Sequence, residues 1–580
     1  MCTIILTYNE AEPANLRVMA EAVRHRGPDT FEVWHNEKHG VAACRLTIFG
    51  DPEAPMIYHD PLSGKIVLLN GEIYNYTELW NRLNNDGIFA RTDLEAELVA
   101  RLYDQYGEAF AGKLQGMFAV VILDGSRLVM ARDRFGIKPL YYTRLERKIL
   151  VSSEIKGLLA HPGVTPFLDL TALRETRVFG YVVSADRTFF ENIRQARPGH
   201  VLTVDGRGGE HTYFFGKIPG ARYTNCLHEP DYHESVQETR RLILGAVDAM
   251  FRHGNMDKGI FLSGGVDSST IALAASLHNG KKVRTFTLAD SDDSPDLLAA
   301  RQVADALKTE HHEFRVTSRD YWQWLPDYAA HYEGLMAGGV FHIQGGLAFH
   351  ILSRFISQQV KVAFSGEGAD ELFGGYYWIY THPLGFSDRI RNNLKAVQND
   401  PCLSSVVNDL FPEPEDEAVY RKNLFDFLLR GGLANYHLQS VDRSAGAFGM
   451  EIRPLFLHDS LSQWAMNLPI EYKTPDKTTT KRILRDAFRP DFQKLGLEMV
   501  LTRQKIGMPA ALSAIDQEVS ETVERAITAE DLAGHPYGNI LGSKMNLLLF
   551  DIFEHIFFKG WDHHSNEPPP DSYLARVWPA

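Results

Sequence analysis

The sequence predicts two domains in series: an α+β sandwich of sheets covered by helices, then an α/β domain with a parallel sheet. Three observations predict this. Up to about residue 210 the apolar residues fall in short strand-like runs with few helices between them. A polar, Gly-rich stretch, Asp205–Glu229, then breaks the pattern. Beyond it strands and helices alternate in order, the signature of βαβ units. A chain of 580 residues is also too long for one core.

Strand candidates in the first part are Thr3–Thr7, Val41–Ile48, Ile66–Leu69, Phe118–Leu123, Leu128–Ala131 and Ile149–Ser152. One helix is expected over Pro13–Arg24. A second is expected from Thr92, where Thr92-Asp-Leu-Glu95 has capping-box form and Leu94, Leu98, Leu102 and Tyr103 share a face. In the second part, strands are expected at Lys258–Leu262, Val283–Leu288, His312–Val316 and Val360–Phe364. Helices are expected at Asp267–His278 and Pro295–Leu307, and the chain from Leu384 reads mostly helical. The domain limits are therefore 2–208 and 231–565, with a linker at 209–230. The Pro-Pro-Pro at 568–570 opens a loose tail, 566–580.

Composition narrows the function classes. A net charge of −14 disfavours nucleic acid or an anionic membrane as partner. Four scattered cysteines form neither a disulfide framework nor a metal spacing, and fit a reducing cytoplasm. The start of the chain lacks the basic flank of a signal peptide, and no run approaches the ~20 apolar residues of a membrane span.

Two stretches carry chemistry. Cys2 follows the initiator Met; with Met1 removed, it offers a thiol nucleophile and an α-amine to activate it. Asn70-Gly71, after a buried strand, supplies a side-chain amide and a backbone N–H, the donors an oxyanion hole needs. Asp93 suits a substrate ammonium group, or simply a helix dipole. Arg45 suits a substrate carboxylate, or a structural ion pair. Farther on, Ser263-Gly-Gly-Val-Asp-Ser268 joins a strand to a helix. Gly264 and Gly265 let backbone N–H groups approach phosphate oxygens, Ser263 and Ser268 add donors, and Asp267 can reach Mg²⁺. The loop is not a Walker motif. Ser365-Gly-Glu-Gly-Ala-Asp-Glu371 packs Glu367, Asp370 and Glu371 into one Gly-rich turn. Such carboxylates repel unless a cation sits among them.

These motifs resemble the glutamine-dependent asparagine synthetases. The resemblance rests on Cys2, Arg26-Gly-Pro-Asp29, Arg45-Leu46, Asn70-Gly-Glu-Ile-Tyr-Asn75, Asp93-Leu-Glu95, Gly116-Met-Phe-Ala119, Arg132 to Tyr142, Ser152-Ser-Glu154, the two loops above, and Thr502-Arg-Gln-Lys-Ile-Gly507. It implies an αββα Ntn-hydrolase sandwich followed by a pyrophosphate-loop domain. It implies that Cys2 attacks glutamine, that Asn70 and Gly71 hold the oxyanion, and that Arg45, Glu72 and Asp93 help to bind glutamine. ATP and pyrophosphate would meet Leu262, Ser263, Gly264, Gly265, Asp267, Ser268, Thr287, Leu288, Ser365, Gly366, Glu367, Asp370 and Lys505. Within that set Asp267 and Asp370 would hold Mg²⁺, Glu367 would assist ammonia attack, and Lys505 would reach the leaving pyrophosphate. Thr480-Lys-Arg-Ile-Leu-Arg485 also matches and reads as scaffold. A homodimer follows by the same analogy, and Cys44 has no assigned role.

Two departures bear on the acceptor. Residues 334–347 are apolar and Gly-rich where the family carries a more polar segment, and Glu451-Ile-Arg-Pro454 shifts the family's proline by one. An apolar pocket accommodates a zwitterion poorly. Two acceptors are therefore open: aspartate, or another carboxylate in specialised metabolism. The retained Cys2 argues against relatives that need no ammonia. A non-catalytic homologue would have lost Cys2, Asp267, Asp370 or Lys505, and all four are present.

Overall fold

The computed structural model describes residues 3–48, 54–216, 231–252, 257–279, 282–335, 342–376, 403, 428–476, 478–504, 512–565 and 567–578. The first part is a four-layer sandwich. One antiparallel sheet runs Ile193–Gln195, Tyr141–Leu145, Lys148–Ser152, Ile5–Tyr8, His39–Arg45, Thr30–His35; the other runs Glu210–Phe214, His200–Val204, Arg127–Arg132, Gly116–Asp124, Ile66–Ile73, Tyr58–His59. The two-residue period of the strands decides the layers. Ile4, Leu6, Ala119, Val121 and Leu123 point between the sheets. Their neighbours Val120 and Ile122 point outward, under the helices Tyr76–Asn85 and Glu95–Tyr106. Ile5 points to the other outer face, against the helix Pro13–Glu21.

The second part has a five-stranded parallel sheet in the order Glu310–Arg315, Arg284–Ala289, Lys258–Phe261, Val362–Ser365, Glu451–Pro454. Both faces are covered, as a parallel sheet requires. Ile260, Val362 and Phe364 face one cluster with Ile271 and Phe488. Phe286, Ala363 and Ile452 face another, which continues into the first sandwich through Ile5 and Leu150. The strand order changes direction around Lys258–Phe261, which puts a topological switch point, the place where such sheets take ligands, at the carboxyl ends of Lys258–Phe261 and Val362–Ser365.

Several expectations need correction. The helix expected from Thr92 starts at Glu95. The Glu97 carboxylate accepts the N–H groups of Arg91 and Thr92 and the Thr92 hydroxyl. That holds 91–93 in a loop, so Asp93 precedes the helix. The helix Pro13–Glu21 stops short of Arg24, and Arg24–Arg26 tightens into a 3₁₀ turn. The strand Glu210–Phe214 lies within the segment read as linker; it is exposed along its length, so it gave no buried-strand signal. The segment read as a loose tail is anchored instead. Ser572 caps the helix Tyr573–Val577, and Leu574 and Val577 are buried in the large core.

The two parts are joined by buried charge. Arg26 pairs with Glu154 and Asp442 (2.7 and 2.8 Å), and Arg443 with Glu154 and Glu333 (3.0 and 3.1 Å). Lys138 meets Glu451 at 3.0 Å, and Arg134 meets Asp459 at 3.0 Å. Among the described residues, no helix is long and apolar enough to cross a membrane.

Candidate active site

Cys2 lies outside the described residues, but its surroundings are built. Thr3 N–H donates to the Cys44 carbonyl, and Cys44 N–H donates to Thr3 Oγ1, both at 2.8 Å. Cys44 is thus a buried strand residue that fastens the start of the chain beside Arg45. A Cβ on Gly27 would fall 2.4 Å from the Cys44 carbonyl carbon, so only glycine lets this turn lie on the strand. Asp29 accepts from Thr47 N–H and from Lys361 of the second part, both at 2.8 Å. The Arg26–Asp29 motif therefore ties loops and domains together. Arg45 is buried, with Nη1 donating to the Ala54 carbonyl at 2.9 Å.

Asn70 is fully buried in the strand Ile66–Ile73, opposite Ala119. Gly71 has φ +139°, and a Cβ there would sit 1.9 Å from the Met117 carbonyl oxygen. Glu72 turns toward the second part and meets Arg453 at 3.4 Å. Glu95 Oε1 accepts from Ile73 N–H at 2.8 Å, which ties the Asp93 loop to the Asn70–Glu72 strand. Asn75, a motif residue, is structural: its amide bridges Lys113 and Gln115.

The second cluster forms where the parallel strands end. Gly264 has φ +71°, and a Cβ would lie 2.5 Å from Ala299. Ser268 Oγ accepts from Ser263 N–H at 3.2 Å and closes the turn. Thr287 donates its hydroxyl to the Leu262 carbonyl. Gly366 lies against Asp267, where a Cβ would come within 3.2 Å, so the Ser365 turn and the Ser263 turn share one crevice. Lys481 sits between them. Its Nζ is 2.5 Å from Asp267 and 2.6 Å from Asp370. Burial pulls the Lys481 ammonium below the usual lysine range, and Asp267 opposes the shift. Lys481 holds φ +53° at the start of the helix Arg482–Lys494, a backbone state rare outside glycine and common where geometry serves a site. Gly375 is required beside it, since a Cβ would strike Asp370 Oδ1 at 1.6 Å.

The cation that the crowded carboxylates demand is thus Lys481, from the segment read as scaffold. A further neighbour of these carboxylates was missed outright. His437 lies 3.8 Å from Glu367 and 4.0 Å from Glu371, and Tyr376 donates to Glu371 at 2.5 Å. Burial lifts Glu371 above the ordinary carboxylate range, and His437 opposes this. Nothing in the local sequence around His437 signals the role. Lys505 lies outside the described residues. Arg503, two positions before it, donates to the Ser263 carbonyl at 2.9 Å and pairs with Asp296.

Comparison with known proteins decides the family. The asparagine synthase family matches residues 238–545, and a glutamine amidotransferase domain matches residues 1–215. The chain belongs to the asparagine synthase family. Its relatives include an asparagine synthetase [glutamine-hydrolyzing] 1 of Bacillus subtilis, 28% identical, with 91% of this chain and 90% of that one covered. Asparagine synthetases of Triphysaria versicolor and Arabidopsis thaliana are 29% and 28% identical, over 87% of this chain and 77% of theirs. A solved glutamine phosphoribosylpyrophosphate amidotransferase of B. subtilis has a TM-score of 0.28 at 15% identity, covering 54% of this chain and 81% of its own, too slight a likeness to argue from. As an asparagine synthase family member with an amidotransferase domain in front, the chain is a glutamine-dependent amide-forming ligase.

Proposed function

We propose that this asparagine synthase family member converts aspartate to asparagine, with glutamine as nitrogen donor and ATP as activator. Cys2 attacks the glutamine amide, and Asn70 Nδ2 and Gly71 N–H receive the developing oxyanion. Arg45 and Asp93 take the glutamine carboxylate and ammonium. Ammonia passes inward, protected from protonation by bulk water. At the second cluster the aspartate side-chain carboxylate is adenylated, pyrophosphate leaves, and ammonia displaces AMP to give the primary amide. Glu367 removes the proton from the attacking nitrogen, and Lys481 joins Lys505 in neutralising the pyrophosphate charge.

The observation that carries this reading is the convergence of Asp267, Asp370 and Lys481 beside the Ser263 turn. Two carboxylates held by one ammonium fit a Mg²⁺–pyrophosphate group, with Asp267 and Asp370 as the residues that would hold the ion. Bound there, Mg²⁺ would neutralise phosphate charge. A cavity of about 20 Å³ at the domain junction supports an ammonia route. It is lined by Tyr141, Tyr181, Gln195, Tyr332, Asn435 and Gln439, and admits one water-sized molecule. Burial raises the Tyr181 hydroxyl above its usual range, and the charge of Glu371 in the second cluster adds to this.

Aspartate is favoured over another acid by the relatives' names; of the apolar stretch 334–347, residues 336–341 lie outside the described residues. Gly346 packs against Tyr328, where a Cβ would fall 1.9 Å from the hydroxyl, so helix packing accounts for that glycine. Glu451 and Arg453 face Lys138 and Glu72 of the first part. These two residues flank the shifted Pro454, so this stretch takes part in domain docking. The test is asparagine formation from aspartate, glutamine and MgATP, against a panel of other carboxylates. Turnover of another acid with silence on aspartate would overturn the acceptor and keep the chemistry. We place the enzyme in the cytoplasm as a homodimer, which sedimentation of the purified protein would check.

A further inference from the structure

We propose that Asp327, His563 and His564 form a binding site for a divalent transition metal of the Zn²⁺ class, separate from the ATP site. Asp327 lies near the end of the helix Ser318–Tyr332. The two histidines come from a turn more than two hundred positions later. That turn is closed by Ser565 N–H on the Asp562 carbonyl (2.9 Å) and by His564 N–H on Asp562 Oδ1 (3.0 Å). It presents both rings to one carboxylate oxygen: His564 Nδ1 is 3.6 Å and His563 Nε2 3.8 Å from Asp327 Oδ1.

Three points favour an ion over a set of ion pairs. The separations are too long for hydrogen bonds. They are a few tenths of an ångström above the roughly 3.3 Å that separates ligand atoms around a four-coordinate Zn²⁺. All three ligand atoms lie within 4.8 Å of one another. The other oxygen of Asp327 is already engaged, since His350 Nε2 lies 2.7 Å from Oδ2. Ligating carboxylates are commonly held by an outer hydrogen bond, and His350 supplies one here. Two imidazoles and a carboxylate suit Zn²⁺, Co²⁺ or Ni²⁺ and not Mg²⁺. The nearby trio His25, Glu154 and His331 is different: Lys156 Nζ is 2.9 Å from His331 and 3.2 Å from Glu154, and an ammonium already supplies the positive charge there.

The ion would clamp the segment around His563 to a helix whose end grips the first domain. Glu333, which follows that helix, accepts the N–H groups of Ile155 and Lys156 at 2.8 and 2.6 Å.

The experiment strips the full-length enzyme with a chelator and titrates it with Zn²⁺ alone, without nucleotide, against a chromophoric chelator. A single tight site per chain is expected. The His563→Ala, His564→Ala double variant should weaken it by ~100-fold or more. His564 is exposed and His563 half-buried, and both lie outside the catalytic clusters, so glutamine-dependent turnover certifies the fold of the variant. Co²⁺ should give four-coordinate absorption bands in the parent and not in the variant. Equal affinity and stoichiometry in parent and variant, or no tight site in the parent, would overturn the proposal.

Discussion

Arg453, from the parallel sheet, reaches across the domain junction to Glu72, the residue after the glycine of the oxyanion strand, at 3.4 Å. Arg453 also holds Glu451 at 3.0 Å, and Glu451 in turn holds Lys138. All are buried. The edge strand of the parallel sheet is therefore joined by charge to the strand that carries Asn70 and Gly71.

Arg453→Met should accordingly take this cation from the buried Glu72 and Glu451, with Lys138 remaining on Glu451. Breaking such a pair from one side costs about 3–5 kcal/mol. Chemical denaturation should read that loss, and the KM for glutamine should rise while the KM with ammonia as donor stays put. An unchanged glutamine KM in a destabilised variant would confine the residue to docking.

Cys2→Ala should abolish asparagine formation from glutamine and leave formation from ammonium salts intact. Loss of both in a folded variant would contradict separate sites. The same variant should retain pyrophosphate release in the presence of ammonia.

Lys481→Ala should lower pyrophosphate release by ~100-fold or more, the scale set by removing one preorganised charge from a transition state. Asp370→Asn should act likewise. Basal glutamine hydrolysis should persist in both. Full adenylation in Lys481→Ala would return that residue to a structural role.

Gly71→Ala should be severe. The added methyl would lie 1.9 Å from the Met117 carbonyl oxygen, and φ of +139° excludes an alanine in any case. Either the strand slips or the oxyanion N–H turns away, and glutamine hydrolysis should fall by ~100-fold or more. Ammonia-driven synthesis is the control.

Lys473 gives a pH signature. It is buried, and burial pulls it down from 10.5 to about 7. Between those values the unfolded chain binds the proton and the folded chain does not, so this group makes stability rise with pH from about 7 to 10.5. The slope is at most about 1.4 kcal/mol per pH unit. Lys473→Met should be more stable than the parent at pH 7, and the difference should shrink as pH climbs. A constant difference would show that the lysine is charged in the folded protein throughout.

Much of this was legible in the chain, for identifiable reasons. The central strands are apolar on both sides or strictly alternating, and each predicted strand of the second domain is found within a few residues. The Gly-rich turns carry their own geometry, as Gly264 shows by its positive φ. The strand Glu451–Pro454 was hidden because it buries charge, and its partners lie in the other domain. Thr30–His35 is a half-buried edge strand and Glu210–Phe214 an exposed one, so neither carries a buried-strand pattern. Lys481 could not be read as part of the site because it is 214 positions from Asp267, and only the fold joins them. His437 is the same case, and so is the meeting of Asp327 with His563.

The most direct measurement is pyrophosphate release and asparagine formation from aspartate, MgATP and glutamine, made on parent and Lys481→Ala enzyme together. The account predicts one asparagine per pyrophosphate in the parent, and in the variant loss of both products with glutamine still hydrolysed. Pyrophosphate release unaffected by the loss of Lys481, or none with aspartate in the parent, would contradict it.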